Sequence, residues 1–354
     1  MKKLAVRSEK LVVATLGALL AVTSVAVADS YVMVYHKDCD HSLHMAVSDD
    51  SYNWRAVNGD KPVVDGKEIA EQKGIRDPFI FRSPDGTYLV AATDLHIFAQ
   101  REGLRETEWE RDGKIYDWGN NRGLVFLKSR DLINWEKHNI DFTKLGGKWS
   151  EVACVWAPEA VWDEGAGHWL LHFTVRFAGP TPNEIYCAHL NDDLTGLAEE
   201  PRPFFSAPRD DKGRSRYNVI DSDIVQADDG TWHFFYVSHE RGATVKHATS
   251  QNLFGPWEQD ESYNDGEKRG HEAPNCWRRA SDGKWVVMYD CYGMKPHNFG
   301  FSETTDFKTF TRLGYFDQKG GEMKRTGFSE QKHGAVVQVP REDAERLVAH
   351  WQGK

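Results

Sequence analysis

The chain has 354 residues, 54 acidic and 44 basic, for a formal net charge of −10. With 40% hydrophobic and 28% charged residues, its composition is globular, too apolar for a disordered chain and too mixed for a fibre. The acidic balance argues against a nucleic-acid partner, which needs clustered Lys and Arg, and no glycine-rich phosphate loop of either common type marks a nucleotide site.

Residues 1–28 read as a secretion signal. Lys2, Lys3, Arg7 and Lys10 form a basic start, residues 11–22 an apolar run too short to span a membrane, and Ala26-Val27-Ala28 a small-x-small cleavage site. Cleavage removes four basic residues and one acidic residue, so the mature charge is −13. No second apolar run is long enough to cross a membrane, so the expected product is secreted or periplasmic and free of membrane. Five cysteines remain (Cys39, Cys154, Cys187, Cys276 and Cys291), an odd number, with Cys276 and Cys291 a candidate pair across a hairpin turning at Asp282-Gly283.

Two kinds of segment then alternate along the chain. The first is a hairpin with a polar turn, at 76–94, 156–175, 221–239 and 271–290, with a degenerate copy from 333 onward. In three copies an Asp-Gly pair joins two β-rich runs, a strong hairpin signal. The second is a strand, a Ser-x-Asp-like turn and an aromatic residue, at 41–57, 122–138, 183–199, 243–259 and 297–313; the aromatic is Trp54, Trp135, Trp257 or Phe310, and the third copy lacks it. Each pair makes a four-stranded antiparallel sheet, and the leftover halves at the two ends complete each other. The fold class is therefore all-β: a five-bladed β-propeller over 29–354, its closing blade shared by N- and C-terminal segments, in one domain. Amphipathic helix is scarce, and the best stretch is 341–350.

In a propeller the innermost strands line the central channel, so the residues that start the first-kind segments converge at one mouth. These are Asp77, Glu159, Asp221 (or Asp223), Glu272 and His333. Converging, poorly solvated carboxylates raise at least one pKa, which is the basis for a general acid beside a general base. His36, Cys39, His41 and His44 also crowd together, but on a strand and loop without metal-ligand spacing. No G-x-S-x-G elbow supports a serine hydrolase.

At these motifs the sequence resembles glycoside hydrolase family 43, five-bladed propellers acting with inversion on arabinose-, xylose- or galactose-containing glycans. The resemblance runs from Tyr31 to about Val339. It implies that Asp77 of Arg-Asp-Pro is the general base. Asp221 of Asn-Val-Ile-Asp would tune the acid, and Glu272 of Glu-Ala-Pro would be the general acid. Trp156-Ala-Pro-Glu159 matches a signature near the sugar, and His333 the channel histidine that sits near a calcium or sodium ion in many members. Two positions depart from the pattern: Ala273 stands where Gly is usual and Ser222 where Pro is usual. Trp118 and Trp156 are the candidate sugar platform, with Asp94 and Arg241 as hydrogen-bonding partners and the polar insertion 96–121 as a loop over one face. His271 beside Glu272 is similar to the acid of a related family that releases anhydrogalactose.

The expected function is a secreted inverting glycosidase on oligosaccharide or polysaccharide side chains. α-L-Arabinofuranosides or β-D-galactofuranosides are the first expectation and β-D-xylosides the next. No cofactor is required; a calcium or sodium ion in the channel would be structural. The alternatives are a non-catalytic glycan-binding propeller and an anhydrogalactose-releasing enzyme with His271 as acid.

Overall fold

The computed structural model describes residues 29–105, 111–264 and 270–352. The expected signal, 1–28, and part of the 96–121 insertion lie outside the described residues.

Four sheets follow the chain in simple order from the axis outward. Blade I holds Ile75–Arg82, Tyr88–Asp94, Gly123–Ser129 and Glu136–Asp141, and blade II Val152–Asp163, His168–Phe177, Glu184–His189 and Arg202–Phe205. Blade III holds Val219–Gln226, Trp232–Ser238, Thr244–Ser250 and Glu258–Asn264, and blade IV Glu272–Arg278, Trp285–Cys291, Asn298–Thr304 and Thr311–Tyr315. The Asp-Gly pairs turn the inner hairpins as expected. Their glycines, Gly86, Gly230 and Gly283, sit at φ between +73° and +86°, a conformation that L side chains resist.

The recurring Ser-x-Asp pattern has a physical role. Asp50 accepts the backbone N–H groups of Tyr52 and Asn53, Asp131 those of Ile133 and Asn134, and Asp306 those of Lys308 and Thr309. Each carboxylate thus satisfies the donors of the turn between the third and fourth strands. The aromatic residue that follows packs into the apolar layer between neighbouring blades: Trp54 is fully buried there, and Trp135, Trp257 and Phe310 are partly buried.

The fifth blade closes the ring. Its inner strand is Lys332–Pro340, paired antiparallel to Asp29–His36 with Val337 opposite Val32, and His44–Ser48 and Asn53–Ala56 lie outside that. A short strand, Lys324–Thr326, adds a parallel outer edge. The expected C-terminal hairpin is corrected here. After Pro340 the chain forms the helix Arg341–Gln352, and the N-terminal strand takes the place of a second C-terminal strand. The helix is pinned under blade I by Asp343, which accepts from Tyr88 Oη at 2.6 Å, and by buried Leu347. The inner strands contact one another around the full circle, from blade I to blade V and back to blade I.

The expected disulfide is also corrected, because all five cysteines are free. Cys276 faces Val287, four residues short of Cys291, on the neighbouring strand. At about 3.4 Å per residue that offset is beyond the reach of a disulfide.

Candidate active site

Each inner strand begins with the same irregularity. The strand register slips by an extra residue at its top, and one residue there takes a positive φ: Asp77 (+52°), Ala157 (+47°), Asp221 (+43°), Ala273 (+55°) and His333 (+42°). Such bulges re-aim side chains beside active sites. Here the bulge residue or the one before it faces the channel mouth in every blade. Arg76, Asp77, Trp156, Ile220, Asp221, Glu272, Lys332 and His333 thereby line a cavity of about 290 Å³, with Asp38, Leu95, Ile97, Trp118 and Tyr292 completing its wall.

This geometry refines the expected phase. Asp77, Asp221 and His333 are equivalent bulge residues, and Glu272 precedes its bulge by one position. Glu159 follows its bulge by two, as Asp223 does, and does not line the pocket. Glu159 is 2% exposed and lies deeper in the channel, hydrogen-bonded to Asp223. Burial, then Asp223, push the Glu159 carboxyl well up; burial puts Asp223 at about 6. Asp223 also accepts from the backbone N–H of Cys276 and from Asn275 Nδ2 at 3.3 Å, so this layer plugs the channel beneath the pocket.

The bulges expose buried N–H groups, and each finds a side-chain acceptor. The acceptor stands at one fixed place, the second-strand residue opposite the position that precedes each bulge. Thr93 of blade I accepts from Ala157 (2.9 Å), Thr174 of blade II from Asp221 (3.1 Å), Asp290 of blade IV from His333 (3.1 Å) and His36 of blade V from Asp77 (3.2 Å). Blade III has Val237 at this place, which cannot accept. There the Asp221 carboxylate takes the Ala273 N–H itself, at 3.2 Å. The missing acceptor thus ties Asp221 to the residue beside Glu272. Ala273 pays the cost of a side chain at positive φ, about 1–2 kcal/mol. Ser222, in place of Pro, bonds His172 Nδ1 at 2.8 Å and anchors the Asp221 bulge.

Electrostatics separate the carboxyls. Burial works against the charge on Asp77, but His333 Nδ1 at 3.2 Å, Arg76 and the Thr93 hydroxyl at 2.7 Å hold it well below the usual carboxylate range. Burial opposes charge on His333 too, but Asp77, Asp221 and Glu272 outweigh it and lift the imidazole to about 9. Asp221 is pushed up to about 7 by burial and by the nearby Glu272 and Asp77. The pocket therefore holds an ionised Asp77 beside an Asp221 that shares its proton near neutral pH, two carboxyls driven apart by their surroundings.

The remaining expectations divide. Trp118, 63% exposed, stands on the pocket rim, its ring 5.9 Å from that of Trp156 in an edge-on arrangement. Trp156 is locked in turn: its Nε1 donates to Gly119 O at 2.9 Å, and the Arg176 guanidinium lies 5.2 Å over its ring while bonding the Tyr116 and Trp118 carbonyls. Asp94 is not at the pocket. It accepts the Glu71 and Gln72 N–H groups in a separate polar crevice, and burial raises it to about 6. Arg241 is exposed and does not line the pocket. His271 is buried against the Tyr289 ring, 4.8 Å away, and does not line the pocket either.

The ion expected near His333 would have to be reached through water, because His333 Nδ1 is paired with Asp77 at 3.2 Å. Among the described residues no three His, Cys, Asp or Glu side chains are spaced to hold one. The His36–His44 group is dispersed: His36 supports Asp77, His41 stacks on His96 at 3.8 Å, and His44 bonds Asp40 at 3.0 Å. Four polar pocket residues carry no role in the sequence motifs: Asp38, Arg76, Lys332 and Tyr292. Arg76 and Lys332 adjoin Asp77 and His333 in the quoted motifs, and that adjacency was the available signal.

Comparison with known proteins gives the family. Residues 27–345 match the family model Glyco_hydro_43_rel, described as a probable glycosyl hydrolase domain. The chain belongs to the family 43-related glycosyl hydrolases. Among curated proteins, an α-L-arabinofuranosidase of Bifidobacterium longum is 25% identical over 191 residues, half of this chain but only 16% of that much longer protein. Among solved structures, an endo-1,4-β-xylanase from Bacteroides thetaiotaomicron aligns with TM-score 0.55 at 14% identity, covering 84% of this chain and 93% of that one. An endo-arabinase from the same organism aligns with TM-score 0.55 at 15% identity, covering 78% and 89%. At these identities the structures establish the shared propeller. As a member of this family, the chain carries a glycosyl-hydrolase-type domain.

Proposed function

We propose that this chain is an inverting glycosidase that removes single sugars from side chains or chain ends, with α-L-arabinofuranosides its first substrate class and β-D-galactofuranosides and β-D-xylosides next. The observation that carries this reading is the placement of Asp77, Asp221 and Glu272 in one small pocket walled by all five blades. A cavity of about 290 Å³ closed below by the Glu159–Asp223 layer suits one sugar ring, where a chain-spanning cleft would suit internal cutting.

Asp77, ionised and held by Thr93 and His333, accepts a proton from a water as that water attacks the anomeric carbon. Glu272 donates its proton to the departing glycosidic oxygen. Asp221 holds the Ala273 amide beside Glu272 and faces the ring. An inverting pair needs about 6.5–9.5 Å between carboxyls to admit the water. Trp118 and Trp156 offer ring faces to the sugar or its leaving group. The reading of residues 1–28 as an export signal belongs to the same proposal, and N-terminal sequencing of the exported protein should begin at Asp29.

The test is hydrolysis of nitrophenyl arabinofuranoside, galactofuranoside, xylopyranoside and galactopyranoside. Wild type is compared with Asp77→Asn and Glu272→Gln, and NMR records the first anomer released. Turnover on one sugar, inversion, and a loss of about 10²–10⁴-fold in Asp77→Asn are expected. Turnover that survives Asp77→Asn would refute the base. Glycan binding without turnover on any substrate would make the propeller a binding module.

A further inference from the structure

The pocket contains a cation that the assignments above leave without a task. Lys332 precedes the blade V bulge, the place held by Glu272 in blade IV, and the two side chains meet across the blade boundary. The Lys332 side chain is 9% exposed. Its ammonium stands 3.8 Å from Glu272 Oε1 and 3.8 Å from Asp38 Oδ2, and among the described residues it donates no hydrogen bond. Burying a Lys this way is costly unless its charge is used. Burial opposes its charge, but an ionised Glu272, with Asp290 and Asp38, outweighs burial and raises its pKa, so the ammonium and the Glu272 carboxylate favour each other. Asp38 fixes its position from the other side. That carboxylate also takes Arg76 Nη1 at 2.6 Å, so Arg76 and Lys332 are held apart on one anion.

We propose that Lys332 is a positioning residue for the general acid: its fixed ammonium stabilises the carboxylate that Glu272 becomes as it gives its proton to the leaving oxygen. The inference rests on Glu272 being that acid. In the step the Glu272 O–H bond breaks and an O–H bond forms on the glycosidic oxygen. The bond from the anomeric carbon to that oxygen breaks, with its electron pair going to the oxygen. The water oxygen bonds the carbon and passes a proton to Asp77. Glu272 gains a full negative charge facing Lys332, an attraction much weaker while Glu272 is neutral. Only interactions that strengthen along the reaction accelerate it. Lys332 should therefore matter in proportion to the proton transfer that the leaving group demands.

The experiment measures kcat for Lys332→Met, Lys332→Arg and Glu272→Gln on glycosides of the preferred sugar bearing dinitrophenyl, nitrophenyl, phenyl and methyl leaving groups, with thermal melting of each variant. Dinitrophenolate leaves without protonation, so Lys332→Met should remain within about threefold of wild type there. On the methyl glycoside it should fall about 30-fold, roughly half the Coulombic effect of a charge at this distance in a partly screened site. Lys332→Arg should recover most of that loss. An equal fall on every leaving group, or none on the methyl glycoside, overturns the proposal while a steep Glu272→Gln series keeps the acid assignment. A flat Glu272→Gln series removes the acid assignment and the proposal with it.

Discussion

His333→Gln separates the ion pair at the base from the rest of the pocket. The imidazole is buried, lies 3.2 Å from Asp77 and is raised to about 9 from an unfolded value near 6.5. A folded pKa above the unfolded one stabilises the protein fully below pH 6.5, and that stability drains away as pH rises towards 9. At about 1.4 kcal/mol per unit the shift is worth about 3 kcal/mol. Wild type should therefore lose stability between pH 6.5 and 9, and the variant should start about 5 °C lower at pH 6 and lack that slope. Asp77 gives the second readout. Without the cation its carboxyl climbs towards the ordinary range, so the acid limb of kcat/KM, too low to see in wild type, should emerge near pH 4. Melting curves and pH–rate profiles from pH 3.5 to 9 test both. A variant that keeps the alkaline stability slope, or shows no new acid limb, would refute an ion pair of this strength.

Three further predictions concern the pocket rim and its supports. Thr93→Val removes the hydroxyl that donates to Asp77 and accepts the Ala157 amide, so it should cost about 1–3 kcal/mol in denaturant unfolding and lower kcat more than it raises KM, with Thr93→Ser restoring both. Gly119→Ala places a methyl 2.9 Å from the Trp156 ring at φ +63°, and should raise KM about tenfold by displacing the aromatic pair; Trp118→Ala, on an exposed ring, should raise KM with no change in melting temperature.

The legible part of this fold was local. Asp-Gly pairs, Ser-x-Asp turns and the aromatic that follows them each act over a few residues, so their repetition counted the blades and set their order. Asp77, Asp221 and Glu272 were legible because the inner-strand motifs recur. What escaped depended on local backbone geometry and on contacts between segments far apart in the chain. Asp38 lies far from Lys332 in sequence and meets it only once the N-terminal strand pairs with the C-terminal one. The expectation of Glu159 at the pocket fails because the one extra residue of a bulge leaves no mark in composition, and that of Asp94 because a carboxyl at a strand end looks the same whether it faces a ligand or a loop's amides. The second-strand column of Thr93, Thr174, Val237, Asp290 and His36 shares no residue type beyond its two threonines, so no repeat search would align it.

Four members of that column, with Asp221 in place of Val237, link the blades in a single rotational sense. Blade I steadies blade II, blade II steadies III, III steadies IV, IV steadies V, and V returns to blade I through His36. None of these five links follows the covalent connection between strands, so the circuit is indifferent to where the polypeptide starts. Relocating the chain ends to the Asp-Gly turn at the far side of blade I, III or IV, with the present ends joined, leaves every link in place. The pocket is thus a property of the assembled circle, and circular permutants cut at those turns should conserve its geometry.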